Sequence, residues 1–203
     1  RQIEGWDPKR SQADPLARMH RSIERIRELV DELLDVSRIS ENRLRPEIED
    51  GVNLAAILRD VVDRFREDAE RAGSVLELRA QTVVGQWDPR LLDRIACNLV
   101  GNAIKYGNGK TIEIDVEPDG DFGHLRVRDH GIGIAPEDQR RIFRRFERAA
   151  SGRSPGGLGL GLWITERMVR ALHGTIELRS EPGRGAAFSV RIPLLRQSSR
   201  APN

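Results

Sequence analysis

Asn98, Asn102 and Lys105 stand four and then three residues apart within the stretch DPRLLDRIACNLVGNAIKYG, residues 88–107. In a helix such steps bring side chains onto one face, so two carboxamides lie a turn apart with an ammonium nearby. An amide oxygen is a hard ligand that suits Mg2+, and a lysine is a point charge that suits phosphate. The trio points to a phosphate ligand carrying a metal. Solvated asparagines on a helix are the plain alternative, but two in step beside an apolar stripe are a poor choice for an ordinary core helix. The basic residues of the chain are almost all arginine; its lysines are Lys9, Lys105 and Lys110.

Two further stretches carry chemistry. Asp129 shares strand parity with Leu125 and Val127, so a carboxylate is predicted to point to the covered face of a sheet. It leads DHGIGI, where Gly131 and Gly133 allow close backbone approach. A carboxylate there accepts from an exocyclic amine and refuses a carbonyl, which selects adenine over guanine. A turn-initiating aspartate before glycines is the alternative. Residues 155–162 read PGGLGLGL and run into a helix. The backbone of Gly157, Leu158, Gly159, Leu160 and Gly161 thus offers amides to phosphate oxygens at a helix start. No Lys-Ser or Lys-Thr follows, so the loop is not a P-loop. Between the glycine segments, residues 136–154 are rich in arginine and hold Phe143 and Phe146. A mobile lid anchored by two rings fits this stretch, with Arg144, Arg145, Arg148 and Arg153 as cations available to a triphosphate.

These side chains need elements to hold them. Asp88 followed by Pro89 caps and starts the asparagine helix, and Leu92, Ile95, Leu99 and Ala103 give its core stripe. Asp14 and Pro15 repeat the start signal. Leu16, Met19, Ile23, Ile26, Val30 and Leu33 then step as a heptad seam, widened by Leu29, Leu34 and Val36. A bundle-forming helix over about 15–41 is expected, completed by dimerisation into four helices. Residues 43–49 read as an edge strand, and Asn53 as the cap of a helix ending at Gly73. Strands are predicted at 75–78, 82–85, 111–117, 125–129, 175–179 and 187–192, with turns at 121–123 and 182–185 and a helix over 160–172. The class is α+β, a two-layer sandwich with an antiparallel-rich mixed sheet and helices on one face, after an all-helical start. The expected division is a partial helical region at 1–42, a main domain at 43–195 and a disordered tail at 196–203.

Composition narrows the function. The 203 residues are 33% charged and 38% hydrophobic with a formal net charge of +2. Acidic and basic residues are interspersed, which argues against a nucleic-acid groove. Cys97 is the lone cysteine, so no disulfide can form within the chain and a reducing, cytoplasmic setting is expected. No apolar run approaches the roughly 20 residues that span a bilayer. Any membrane attachment is expected in upstream segments.

Four motifs now stand in order: Asn98-Leu-Val-Gly-Asn102-Ala-Ile-Lys105-Tyr106, Asp129-His-Gly-Ile-Gly133, Ile142-Phe-Arg-Arg-Phe146 and Gly157-Leu-Gly-Leu-Gly161. They resemble the N, G1, F and G2 boxes of bacterial sensor histidine kinases, and residues 22–44 resemble the second helix of the dimerisation and phosphotransfer domain. The resemblance implies a Bergerat-type sandwich that binds Mg-ATP. It implies Asn102 as Mg2+ ligand, Asn98 and Lys105 near the phosphates, Tyr106 near the nucleotide, Asp129 on the adenine amine and Arg148 on the γ-phosphate. A response regulator receiver domain is the implied partner.

Departures are equally specific. Leu158 stands where such kinases usually carry Thr or Ser, and Glu147 where an aromatic is frequent. No histidine is followed by an acid and a proline; His20, followed by Arg-Ser-Ile, reads as a partly solvated helix residue. The chain is therefore expected to be a fragment that starts past the phosphoacceptor helix and does not phosphorylate itself. The alternatives are a non-catalytic ATP-binding module for a partner protein, and a hydrolytic ATPase of the same fold.

Overall fold

A computed structural model provides the fold; the described residues are 44–147, 149 and 158–195, with 19, 23, 30, 36 and 37 as isolated positions. The isolated five are all helical, and the rest of the expected bundle helix, His20 included, lies outside the described residues, as does the tail from 196.

Strand β1 (Glu49–Asn53) leads straight into helix α1 (Leu54–Arg71). Asn53 caps that helix by accepting from the amides of Ala55 and Ala56, and Gly73 leaves it with φ +74°. Strands β2 (Leu76–Ala80) and β3 (Val84–Trp87) precede helix α2 (Pro89–Tyr106). Next come β4 (Ile112–Asp119) and β5 (Phe122–Arg128), the short helix α3 (Pro136–Gln139) and a 3-10 turn at Arg141–Phe143. Helix α4 (Gly161–Ala171), β6 (Thr175–Ser180) and β7 (Ala186–Pro193) complete the order.

Five strands form one sheet in the order β2-β4-β5-β7-β6, parallel only between β2 and β4. Alternation splits its faces. Ile112, Ile114, Val116, Leu125, Val127, Phe188, Val190 and Ile192 are buried against the helices. On the other face Glu113 stands opposite Arg128 and Asp115 opposite Arg126, cross-strand pairs of opposite charge that suit a solvated surface. From α2, Leu92, Ile95, Leu99 and Ala103 are buried in the same core, as the stripe predicts. The expected α+β class with helices on one face of a mixed sheet is what the chain adopts.

Several expected boundaries move. Residues 44–48 make no strand; β1 begins at Glu49 and pairs with β3 in a separate two-stranded sheet. Pro46 has no ladder donor to give. The hairpin between β4 and β5 turns around Gly120, φ +59°, rather than at 121–123, because a left-handed residue is what closes it. Trp87, buried, donates its indole N–H to the Pro193 carbonyl at 2.6 Å and ties the small sheet to the end of β7.

Asp88 holds two things at once. Its Oδ1 accepts from the amides of Arg90 and Leu91 at 2.9 and 3.1 Å, and its Oδ2 accepts from the Glu47 amide at 2.8 Å. Asp88→Ala removes the cap of the asparagine helix and the strap from residue 47 together. A loss of about 1–2 kcal/mol in urea unfolding is expected, and a midpoint equal to wild type would contradict it.

Candidate nucleotide site

Helix α2 carries Asn98, Asn102, Lys105 and Tyr106 along one end of the core. The Asn98 Nδ2 donates to the Thr165 hydroxyl of α4 at 2.6 Å, and the Asn102 Nδ2 reaches the Asn98 Oδ1 at 3.4 Å. Gly161, the first residue of α4, lies so close to the Asn98 carboxamide that a methyl group would collide with its oxygen. Leu160 is fully buried just before it. The glycine-rich loop therefore ends directly against the amide pair. Lys105 is exposed, with its ammonium 5.1 Å from the centre of the half-buried Tyr106 ring.

The loop after β5 docks on the far end of α2. The Ile132 amide donates to the Tyr106 carbonyl, and Gly131 passes that carbonyl with no room for a side chain. Gly133, at φ +67°, is pressed in the same way against the carbonyl of Glu181, while Gly185, at φ +82°, is pressed against that of Asp129. The loop is thus clamped closely between α2 and the β6–β7 turn, where the Ser180 hydroxyl also accepts from the Ile134 amide at 2.9 Å. Asp129 itself is 5% exposed; its amide donates to the Ala186 carbonyl and its Oδ1 accepts from the Gly131 amide at 2.8 Å. Burial pushes its carboxyl above the ordinary aspartate range, and the Gly131 amide offsets part of that. Its Cβ faces Gly107, immediately after α2. Asp129 is thus buried, as its strand parity predicts, and it is packed at the end of the helix that bears the amide pair.

His130 turns away. Its Nε2 lies 2.8 Å from the Glu113 carboxylate on the solvated face of β4 and holds that glutamate below its usual range. Cys97, beside Asn98 in sequence, has its thiol pushed up to about 11 by burial and by Asp93, so it is protonated at neutral pH and no nucleophile.

The segment expected as a lid is partly regular structure. Helix α3 and the 3-10 turn occupy its first half, and Ile142 and Asp138 are buried. The two-ring anchor is corrected to one ring. Phe143 packs edge-on against Phe188, centroids 6.4 Å apart, whereas Phe146 is 64% exposed at φ +62°. Its neighbour Arg145 anchors instead, with its guanidinium 4.1 Å above the Trp163 ring of α4. Glu147, at the position where an aromatic is frequent, accepts from Arg141 at 2.7 Å. The Phe146 amide donates to the Gly159 carbonyl, which joins this segment to the glycine loop. Leu158 is exposed, while Arg148 and Gly157 lie outside the described residues.

Residues 87–196 match the model of a family described as histidine kinase-, DNA gyrase B-, and HSP90-like ATPase, a span of more than half the chain. The chain belongs to that family. Within the family its relatives are sensor histidine kinases. It is 34% identical over 182 residues to sensor histidine kinase MtrB of Mycolicibacterium paratuberculosis, covering 88% of this chain and 32% of that protein. It is 36% identical over 175 residues to sensor-like histidine kinase SenX3 of Mycolicibacterium smegmatis, covering 83% and 45%. The chain therefore spans about a third to a half of the curated relatives it matches. Among solved structures, Acinetobacter baumannii histidine kinase AdeS superposes with TM-score 0.73 at 25% identity over 88% of this chain and 83% of that one. Full-length ShkA in complex with AMPPNP superposes with TM-score 0.76 at 25% identity over 90% and 39%. This chain is thus a domain of that ATPase family, similar to part of the sensor histidine kinases named above.

Sequence reasoning missed Thr165 and Gly185. Thr165 is a hydroxyl set among Trp163, Ile164, Met168 and Val169 on the buried side of α4, and a polar residue on that helix's apolar face was the available signal. Gly185 had only its place in a turn.

Proposed function

We propose that this domain holds Mg-ATP between α2 and α4 and presents the γ-phosphoryl to a histidine carried on another segment. In this reading Asp129 accepts the adenine amine, with the backbone at Gly131 and Gly133 giving the base its close approach and Tyr106 lining the nucleotide. Asn98 and Lys105 face the phosphates, Arg148 meets the γ-phosphate, and the amides of 157–161 cradle phosphate oxygens. Phe143 and Phe146 belong to the lid segment, and Leu158 follows it at the base of the glycine loop. Asn102 would supply one amide oxygen to Mg2+. That donor fits, because Mg2+ takes most of its ligands from phosphate and water and asks few of the protein; when bound, it would neutralise developing charge on the phosphates.

The reaction exchanges one bond for another. The bond from the γ-phosphorus to the β-phosphate oxygen breaks, a phosphorus–nitrogen bond forms on imidazole, and ADP leaves. A response regulator aspartate then takes the phosphoryl from that histidine. Phosphoryl transfer is mostly positioning and charge neutralisation, so the site needs no strong base of its own. The histidine would be carried on a helical bundle of a dimeric protein, outside the ATP-binding domain. Among the described residues no helix is long and apolar enough to cross a membrane.

The observation that supports this reading best is the docking of the Asp129 loop on the end of the very helix that bears Asn98 and Asn102. A carboxamide rather than a carboxylate at 98 offers no base for an attacking water, which favours transfer over hydrolysis. Calorimetry with AMPPNP and Mg2+ on this chain is expected to give saturable, one-to-one binding. Incubation with γ-labelled ATP is expected to leave no acid-labile label on it. Absence of binding heat from folded protein overturns the ATP site, and label on His20 overturns the proposal that the acceptor lies elsewhere.

A further inference from the structure

We infer that Thr165 is a positioning residue that sets which end of the Asn98 carboxamide faces Asn102 and, through it, which end of Asn102 faces the bound metal. The inference rests on the Mg-ATP reading above and extends it to a residue outside the four motifs.

The geometry is a chain of three polar groups across two helices. Thr165 is 1% exposed, and its Oγ1 lies 2.6 Å from the Asn98 Nδ2. The other end of that carboxamide, Oδ1, faces the Asn102 Nδ2 at 3.4 Å and is walled by Gly161. A helical threonine can turn its hydroxyl proton to the carbonyl one turn back and offer its lone pair outward. Asn98 then meets it with the NH2 group, and its oxygen is left to receive from Asn102. The NH2 of Asn102 is thereby directed to Asn98, which leaves its carbonyl oxygen as the end available to a metal.

Reversal is penalised in steps. With Asn98 flipped, its NH2 would face the NH2 of Asn102, and two donors cannot share a bond. Asn102 would have to turn as well, bringing its own NH2 towards a cation. Only a glycine at 161 leaves space for the Asn98 oxygen where it stands, since a Cβ there would collide with it. The hydroxyl at 165 is the outermost group of the row and buried; with its proton given to the helix backbone it is left an acceptor, and that sets the sense of the row. Valine has the same shape without a hydroxyl; it would leave the buried NH2 of Asn98 unpaired and both orientations open.

The test compares Thr165→Val and Thr165→Ser with wild type by calorimetry, using AMPPNP in the presence of Mg2+ and again in EDTA, with a Mg2+ titration at fixed nucleotide. The expected result is that Thr165→Val raises the Mg2+ concentration for half-maximal binding about tenfold. Binding in EDTA should change less than about twofold, and Thr165→Ser should restore the Mg2+ dependence to within about threefold. A merely structural role predicts equal losses with and without Mg2+. Equal losses, no loss, or a loss that serine does not rescue each overturn the inference. If wild type binds no nucleotide in either arm, the ATP-site reading fails and this inference falls with it. A wild type that binds while Thr165→Val shows no Mg2+-selective loss removes the inference alone.

Discussion

Asp129→Asn is expected to weaken AMPPNP binding by at least about a hundredfold while leaving the domain no less stable at pH 7. The substitution keeps the shape and keeps an oxygen for the Gly131 amide, which now binds Oδ1 at 2.8 Å. What changes is the other atom of the group. A carboxylate oxygen that accepts the adenine amine becomes an NH2 that opposes it, donor against donor, in a place too buried for water to relieve the clash. Residual binding should shift towards guanine nucleotides, whose carbonyl suits an NH2. The stability half follows from the sign of the carboxyl shift. Because burial raises the folded-state pKa, the favourable contribution of Asp129 is complete only below its unfolded value and is lost as pH rises through the folded one. At pH 7 wild type bears the burial of a charge that asparagine avoids. The melting temperature of the variant should equal or exceed that of wild type at pH 7, and wild type should gain on it as the solution is acidified. A variant that binds within threefold of wild type, or that is plainly less stable at pH 7, contradicts this account of the loop.

Asn102→Ala is expected to act at the other end of the nucleotide. Binding of AMPPNP with Mg2+ should fall by one to two orders of magnitude, and binding in EDTA should hardly change, since the amide oxygen is assigned to the metal rather than to the base. Transfer to a histidine-bearing segment supplied in trans should fall further, by about a hundredfold or more, because charge on the phosphates grows on the way to the transition state. Folding should lose less than about 1 kcal/mol: the side chain is half-buried and its one bond to Asn98 is long, at 3.4 Å. Equal losses with and without Mg2+ would mean that Asn102 serves the fold or the nucleotide itself.

The parts of the fold that could be read in the sequence were those decided locally. Asp88, Pro89 and the stripe through Leu92, Ile95 and Leu99 specify helix α2 within a single stretch, and one residue of parity places Asp129 inward. The strand limits depended on partners far away in sequence. Strand β1 exists because β3 lies beside it, with Val52 opposite Gly85, and nothing in residues 43–49 announces that pairing. The aromatic anchor failed for the same reason: Phe143 finds Phe188 and Arg145 finds Trp163, contacts between separate elements that chain spacing cannot reveal. Thr165 is the site-level instance. Its type was visible, but its role depends on α4 crossing α2 at Asn98.

Between Asn102 and Tyr106 the helix serves as a gauge. Four residues at 1.5 Å each set about 6 Å of helix axis between the residue assigned to the metal and the one whose carbonyl receives the Ile132 amide. That span is fixed by hydrogen-bonded backbone at one end and by glycines without side chains at the other, so under the proposed reading a nucleotide would be measured against a rigid length instead of being wrapped. One residue inserted in this interval would turn the two ends out of phase by about 100° and leave every contributing side chain present but no longer addressed to the same molecule.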